Sequence, residues 1–235
     1  MKAFNPPRTA PRRVSWITAS VALVVLGFCD AAYAIEVRFL PINEEVSGRK
    51  IGIMVGKRLI ELKDLNPKKR SKNYTLSGSP APALVALDRE RPNGNPASAE
   101  IVFPTGITSP LVLIFADSSH ASGMRTLVLE DSEAGFPWGT LRFVNTADKA
   151  WLLRCEKSTL TVRDPFAVVD VSPGGIARNI GVQLAGESTP DQALYSAVWE
   201  HDPKQRKLVF IVPSADALST EVTLEIIPQD QRANP

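Results

Sequence analysis

The chain has 235 residues, with 27 basic against 25 acidic side chains, two histidines, two cysteines and a formal charge of +2. A balance this close to neutral offers no electrostatic footprint for nucleic acid, whose binding rests on neutralising phosphates. The length suffices for one large or two ordinary hydrophobic cores.

The first 34 residues read as a cleaved secretory signal peptide. Lys2, Arg8, Arg12 and Arg13 precede an uncharged stretch from Val14 to Phe28, and the small-x-small triplet Ala32, Tyr33, Ala34 follows. Those 15 uncharged residues fall short of the ~20 that a membrane-spanning helix needs. Phe28 before Cys29 does not fit a lipoprotein site, so cleavage is expected after Ala34, with no span in the mature chain. Cleavage would remove four basic residues and Asp30, taking the formal charge from +2 to −1. It would also remove Cys29, leaving Cys155 as a single thiol that cannot form an internal disulfide.

From Ile35 onward strand signals dominate. "IEVRF" sets Ile35, Val37 and Phe39 against Glu36 and Arg38 at period two. "RLIELKDL" is short and carries no helix cap. "NPKKRSKN" reads as a solvated basic loop with Lys68, Lys69, Arg70 and Lys72 beside Pro67. The apolar runs "PLVLIFAD", "MRTLVLED", "GTLRFVN" and "KLVFIVP" are punctuated by turn-formers at roughly ten-residue spacing, the pattern of an antiparallel sandwich or barrel. The loop Asp117–Gly123 is the best candidate for a break. In "AWLLRCE" alternation puts Trp151, Leu153 and Cys155 on one face, where a cysteine behaves as a small hydrophobe. "TPDQALYSAVWEHD" competes as a helix, with Thr189 as cap and Pro190 in the first turn. However, "ALYSAVWEH" and "KLVFIVP" flank "DPKQR", a five-residue loop that suits a hairpin, which is the reading taken. "EVTLEI" closes the chain with Val222, Leu224 and Ile226 on one face. No internal repeat is detected.

The chemistry-bearing residues do not assemble into a known catalytic motif. A copper site of the cupredoxin kind would need Cys155 with His120, His201 and Met54 or Met124, but no His or Met follows Cys155 closely enough to share its loop. A catalytic cysteine needs a nearby base or helix N-terminus, and a strand interior offers neither. There is no G-x-S-x-G elbow, H-E-x-x-H, Walker loop or calcium loop, and Ser47 with Lys50 matches S-x-x-K only by chance. Acidic groups such as Glu44 with Glu45, or Glu130, Asp131 and Glu133, sit at strand ends as solvated acids do. Trp138, between Pro137 and Gly139 at a strand start, and Trp199 remain as candidate stacking residues, against the ordinary role of tryptophan as a core anchor.

Residues 110–228 resemble a family of exported bacterial all-β proteins of uncharacterised activity. The resemblance is carried by Phe136, Pro137 and Gly139 leading into Arg142, Phe143 and Asn145, then by Pro173 and Gly174, and then by Trp199, Pro203, Arg206 and Phe210. It implies the strand-rich fold and a closing hairpin, and it implies no catalytic or binding residue. Residues 35–109 match that family less well.

The expected architecture is all-β: an antiparallel β-sandwich, immunoglobulin-like or similar, as one continuous sandwich or two packed ones. The boundaries are residues 35–117 and 124–228, with a flexible tail over 229–235. The expected function is a non-enzymatic protein exported to the periplasm or beyond, an envelope assembly component or protein-binding module without cofactor or metal. Its partner would be another envelope or exported protein. The alternative is a carbohydrate-binding or carbohydrate-active protein using Trp138, Trp199 and acidic residues.

Overall fold

Alternating strands need covering on one face only, whereas strands that are apolar throughout must be covered on both. The computed structural model describes residues 34–77, 81–90, 94–163, 165–214 and 222–233, and it contains both kinds. The expected leader lies outside the described residues except for Ala34.

The first half comprises β1 (Ala34–Pro41), a one-turn helix α1 (Glu44–Ser47), β2 (Ile51–Val55), β3 (Arg58–Leu62), β4 (Tyr74–Ser77), β5 (Ala83–Glu90), β6 (Pro96–Glu100), β7 (Pro110–Ala116) and β8 (Met124–Glu130). They form two four-stranded sheets, ordered β4-β1-β7-β8 and β3-β2-β5-β6. Between these sheets lies a core that includes Val37 and Phe39 of β1, Ile51 and Ile53 of β2, and Val112 and Ile114 of β7. Asn43 caps α1 by accepting a bond from the Val46 N–H at 3.0 Å, and Val46 is buried in the same core.

The second half comprises β9 (Leu141–Asn145), β10 (Trp151–Cys155), β11 (Ser158–Val162), β12 (Val168–Val171), β13 (Arg178–Gly186), β14 (Thr189–His201), β15 (Gln205–Pro213) and β16 (Val222–Asp230). Their sheets run β12-β9-β15-β16 and β11-β10-β13-β14, which is the strand order of the first half shifted by eight strands. The directions match too: β1 with β7 and β9 with β15 are the parallel pairs, and the other pairings are antiparallel. The chain is therefore an internal duplication, contrary to the absence of a repeat expected from the sequence. Register identifies the equivalent positions: Arg38 opposite Leu111 matches Arg142 opposite Leu208, and Phe39 opposite Val112 matches Phe143 opposite Val209. In sequence the halves are alike only at "VRFL" with "LRFV" and "LVLI" with "LVFI", too short to stand out against ordinary strand composition.

Pro110 to Phe115 are all buried, because β7 is apolar on both faces. Val112 and Ile114 enter the first core, while Leu111, Leu113 and Phe115 face the second sandwich. In β15, Val209 and Ile211 enter the second core while Leu208 and Phe210 face the first sandwich. A third apolar cluster results, with Leu40, Leu111, Leu113 and Leu129 against Val144, Leu208, Phe210 and Ile227. Phe115 packs edge-on to Phe210, with ring centroids 6.3 Å apart. Equivalent faces of the two halves meet, which is the geometry of an isologous contact made within one chain.

Two expectations are corrected. The loop from Asp117 to Gly123 does not separate halves. It closes the β7–β8 hairpin, with the Asp117 N–H bonded to the Gly123 carbonyl at 3.0 Å, and the crossover lies at residues 131–140 instead. The strands expected at 193–201 and 207–213 are present and extend further, over Thr189–His201 and Gln205–Pro213, but they do not pair with each other. The turn carries the chain from one sheet to the other, β14 pairing with β13, and β15 with β9 and β16. At the carboxyl end β16 runs to Asp230, the Gln231 N–H bonds the Lys204 carbonyl, and Arg232 reaches Asp202 and Asp230 at 2.8 and 2.6 Å.

Phe210→Ala is expected to lower stability by about 3–5 kcal/mol. Because the cavity opens between the sandwiches, urea unfolding followed by circular dichroism and by tryptophan fluorescence should shift as one transition. Two separated transitions, with one unmoved, would contradict this.

Candidate functional site

The duplicated halves are joined by a connector that begins at the end of β8, and its polar groups are clamped by arginines from both halves. The Asp131 side chain is 1% exposed and meets three guanidinium groups: Arg38 of β1 at 2.7 Å, Arg70 of the β3–β4 loop at 2.8 Å and Arg206 of β15 at 3.5 Å. Burial of an acid is tolerable only with such partners. Arg206 also donates to the Phe136 carbonyl at 2.7 Å and to the Gln229 side chain at 2.9 Å. Its burial lowers the guanidinium to about 10, opposed by Asp131, so it stays a cation at neutral pH. Arg142, the repeat equivalent of Arg38, instead pairs with Asp170 at 2.7 Å and donates to the Gly135 carbonyl at 2.6 Å. The Phe136 ring lies between Arg142 and Arg206, with guanidinium carbons 4.3 and 4.8 Å from its centroid.

Trp138 belongs to this clamp. It is half-buried, and Arg206 lies 4.8 Å over its ring. Gly139 beside it has φ +81° and sits 3.3 Å, measured from an added Cβ, from the Pro203 backbone, so a side chain would strain the connector there. Glu130 is equally engaged. Burial would raise its acid, but the N–H of Thr108 at 2.6 Å, with bonds from Ser132 and Ser109, more than offsets this and holds it below the ordinary carboxylate range.

Trp199 has a different setting from Trp138. It lies in the second core at 8% exposure, stacked 6.1 Å from Phe143, with its indole N–H donated to the Tyr195 hydroxyl at 3.0 Å. Cys155 shares that core with Trp151 and Leu153, as the alternation predicts. Burial, reinforced by Glu156, pushes its thiol up to about 11. His201 is also buried, at 2% exposure, and its Nε2 has no hydrogen-bond partner. His120 is in the β7–β8 turn, with Nδ1 2.7 Å from the Ser122 hydroxyl. Among the described residues no group of three or more His, Cys, Asp and Glu is placed to hold a metal ion, so Cys155, His120 and His201 are not brought together.

The other feature is an open sheet edge. β14 is an outer strand of its sheet and pairs only with β13, through a register that shifts near Leu184 and Gly186. At 13 residues it is the longest edge strand among the described residues, and it contains neither Lys nor Arg. The edges β3, β4, β6, β11 and β12 have 4 or 5 residues each. β8 carries Arg125 and is bridged to β6 by the Thr126 hydroxyl on the Glu100 carbonyl at 2.7 Å, and β16 contains Pro228. Long edges are ordinarily blunted by lysine, proline or bulges; in β14 the proline and the register shifts fall within Thr189–Tyr195, the stretch Tyr195–His201 pairs without a shift, and the Lys207 side chain of β15 donates to the Glu200 carbonyl near its end. Val198, 71% exposed, stands opposite Gly181, next to which an added Cβ would meet nothing within 4 Å. The strand itself was legible in the sequence over 193–201, but not its extension back to Thr189. Its edge position was not, since that depends on β15 leaving for the other sheet.

Compared with known proteins, the chain matches no protein-family model and no curated protein, so the site is read from its own chemistry.

Asp131→Ala should destabilise by about 3–5 kcal/mol in denaturant unfolding, since three arginines lose their buried counter-charge. Burial, then the cations Arg178 and Lys207, hold His201 below its ordinary value near 6.5. The unfolded state therefore binds the proton more readily, and stability should be complete above about pH 6.5 and fall as the pH drops toward 5. His201→Gln should flatten that slope, and an unchanged slope would remove His201 as its source.

Proposed function

We propose that the protein is an exported, non-enzymatic binding protein of the cell envelope, and that it takes up an extended segment of another exported protein along β14. The observation that carries this reading is the outer strand β14, regularly paired from Tyr195 to His201, with no Lys or Arg of its own and with Val198 71% exposed on it. An edge of this kind supplies main-chain donors and acceptors for affinity, and the side chains beside it supply selectivity. Asp191 and Glu200 are the acids of the strand, so the favoured partner segment alternates apolar residues with Lys or Arg. The clamped connector supports binding over catalysis: its arginines are held by Asp131, Asp170 and backbone carbonyls, and they supply fixed charge rather than an exchangeable proton. Export rests on the leader read from residues 1–34.

A photo-reactive amino acid at position 198 should give discrete adducts in the host envelope, and the same group at Ile176, an exposed apolar residue off the edge at 80% exposure, should not. Ser196→Lys with Val198→Lys should abolish the adducts formed from a third position, Glu200, with folded stability changed by no more than about 0.5 kcal/mol. Equal labelling from 176 and 198, or adducts that survive the lysine pair, would overturn the edge as the binding surface. Amino-terminal sequencing of the exported protein should begin at Ile35.

A further inference from the structure

The two sandwiches leave a cleft of about 570 Å³ beside the arginine clamp, and its charge is one-sided. Arg38, Lys68, Lys69, Arg70 and Lys72 line it from the first sandwich, and Asp230 is the single carboxylate on the wall formed by β16. That carboxylate is already paired with Arg232 at 2.6 Å. We propose that this cleft binds a multivalent phosphate-type anion, an oligophosphate or a phosphate-bearing headgroup. This is independent of the β14 reading.

Three observations carry the proposal. The two arginines are held in place before any ligand arrives: Asp131 is 1% exposed and takes Arg38 at 2.7 Å and Arg70 at 2.8 Å. A preset guanidinium has little rotamer freedom left to lose on binding. The clamp uses only part of their donor sets: the protein bonds of Arg38 come from Nη2 and those of Arg70 from Nε and Nη2, and the Arg38 side chain, 21% exposed against 8% for Arg70, is the more open to a ligand. The loop bearing the lysines is fastened to β1, with the Phe39 N–H donated to the Ser71 hydroxyl at 2.9 Å and the Ser71 N–H to the Phe39 carbonyl at 2.8 Å. Three exposed lysines, of which Lys72 lies 5.5 Å over the Tyr74 ring, around two preset guanidinium groups suit several adjacent anionic oxygens better than one carboxylate. The basic run read from the sequence as a solvated loop thus becomes one wall of a binding cleft, because folding brings Arg38 beside it and β16 opposite.

The test uses the leaderless protein, residues 35–235, with pyrophosphate and tripolyphosphate as probes in calorimetric titration at fixed ionic strength. Binding should tighten from pyrophosphate to tripolyphosphate and weaken as salt is raised. Lys68→Ala with Lys69→Ala and Lys72→Ala should lose on the order of tenfold in affinity, since these ammonium groups lie at the surface and leave the clamp intact. Lys57→Ala with Arg58→Ala, on the β2–β3 turn outside the cleft, should bind like the parent. Co-sedimentation with vesicles of phosphatidylglycerol and phosphatidylcholine in equal parts distinguishes the sources. Lysine-dependent sedimentation assigns a headgroup, and lysine-dependent titration without sedimentation assigns a free oligophosphate. No binding in either arm, or binding reduced equally by both sets of substitutions, would overturn the proposal.

Discussion

The structure depends on two sheets that are apolar on both faces. In β7 and β15 no register leaves a polar side for water, so each sandwich is incomplete until the other covers it. The third cluster, from Leu40 and Leu113 to Phe210 and Ile227, is the result. Burial of apolar surface stabilises by roughly 25 cal/mol per Å² removed from water, without direction, so it holds the halves together without orienting them. Orientation comes from the polar rim of the contact, where Asp131 is reached by arginines from β1, the β3–β4 loop and β15.

The duplication explains why that rim is asymmetric. Arg38 and Arg142 occupy equivalent places, but Arg38 turns to Asp131, while Arg142 pairs with Asp170 across the sheet. Register puts Gln229 of β16 where β8 continues into Asp131, and Arg206 binds both. One half therefore contributes the buried carboxylate and the other a neutral amide, leaving arginine donors in excess on one side. The basic cleft lies on that side. The open edge at β14 has a different origin: it follows from β15 crossing to the other sheet after the turn at Asp202, which leaves β14 paired on one side only.

Much of the local structure was legible because strand periodicity is a local property. The alternation of "AWLLRCE" placed Cys155 in a core beside Trp151 and Leu153, and that of "IEVRF" placed Val37 and Phe39 in another. Other features were not legible because they depend on pairing partners distant in the chain. The strand was foreseen over 193–201, yet its neighbour is β13 and not β15. The turn at 117–123 looked like a boundary because hairpin turns and linkers share glycine and serine. Trp138 and Trp199 looked alike as tryptophans in turn-flanked strands, but one lies on Arg206 at the connector and the other on Phe143 in a core.

The sequence by itself determined the all-β class, the inward face of the alternating strands and the apolar character of the cysteine. Each of these follows from side chains two residues apart on a pleated backbone. Only the tertiary structure decided that the chain is two copies of one sandwich, that Asp131 would be buried among arginines, and that Lys68, Lys69 and Lys72 would face β16 across a cleft. Those outcomes rest on contacts between residues about 60 to 160 positions apart. No local pattern encodes such contacts, and they form only because two doubly apolar sheets must cover each other.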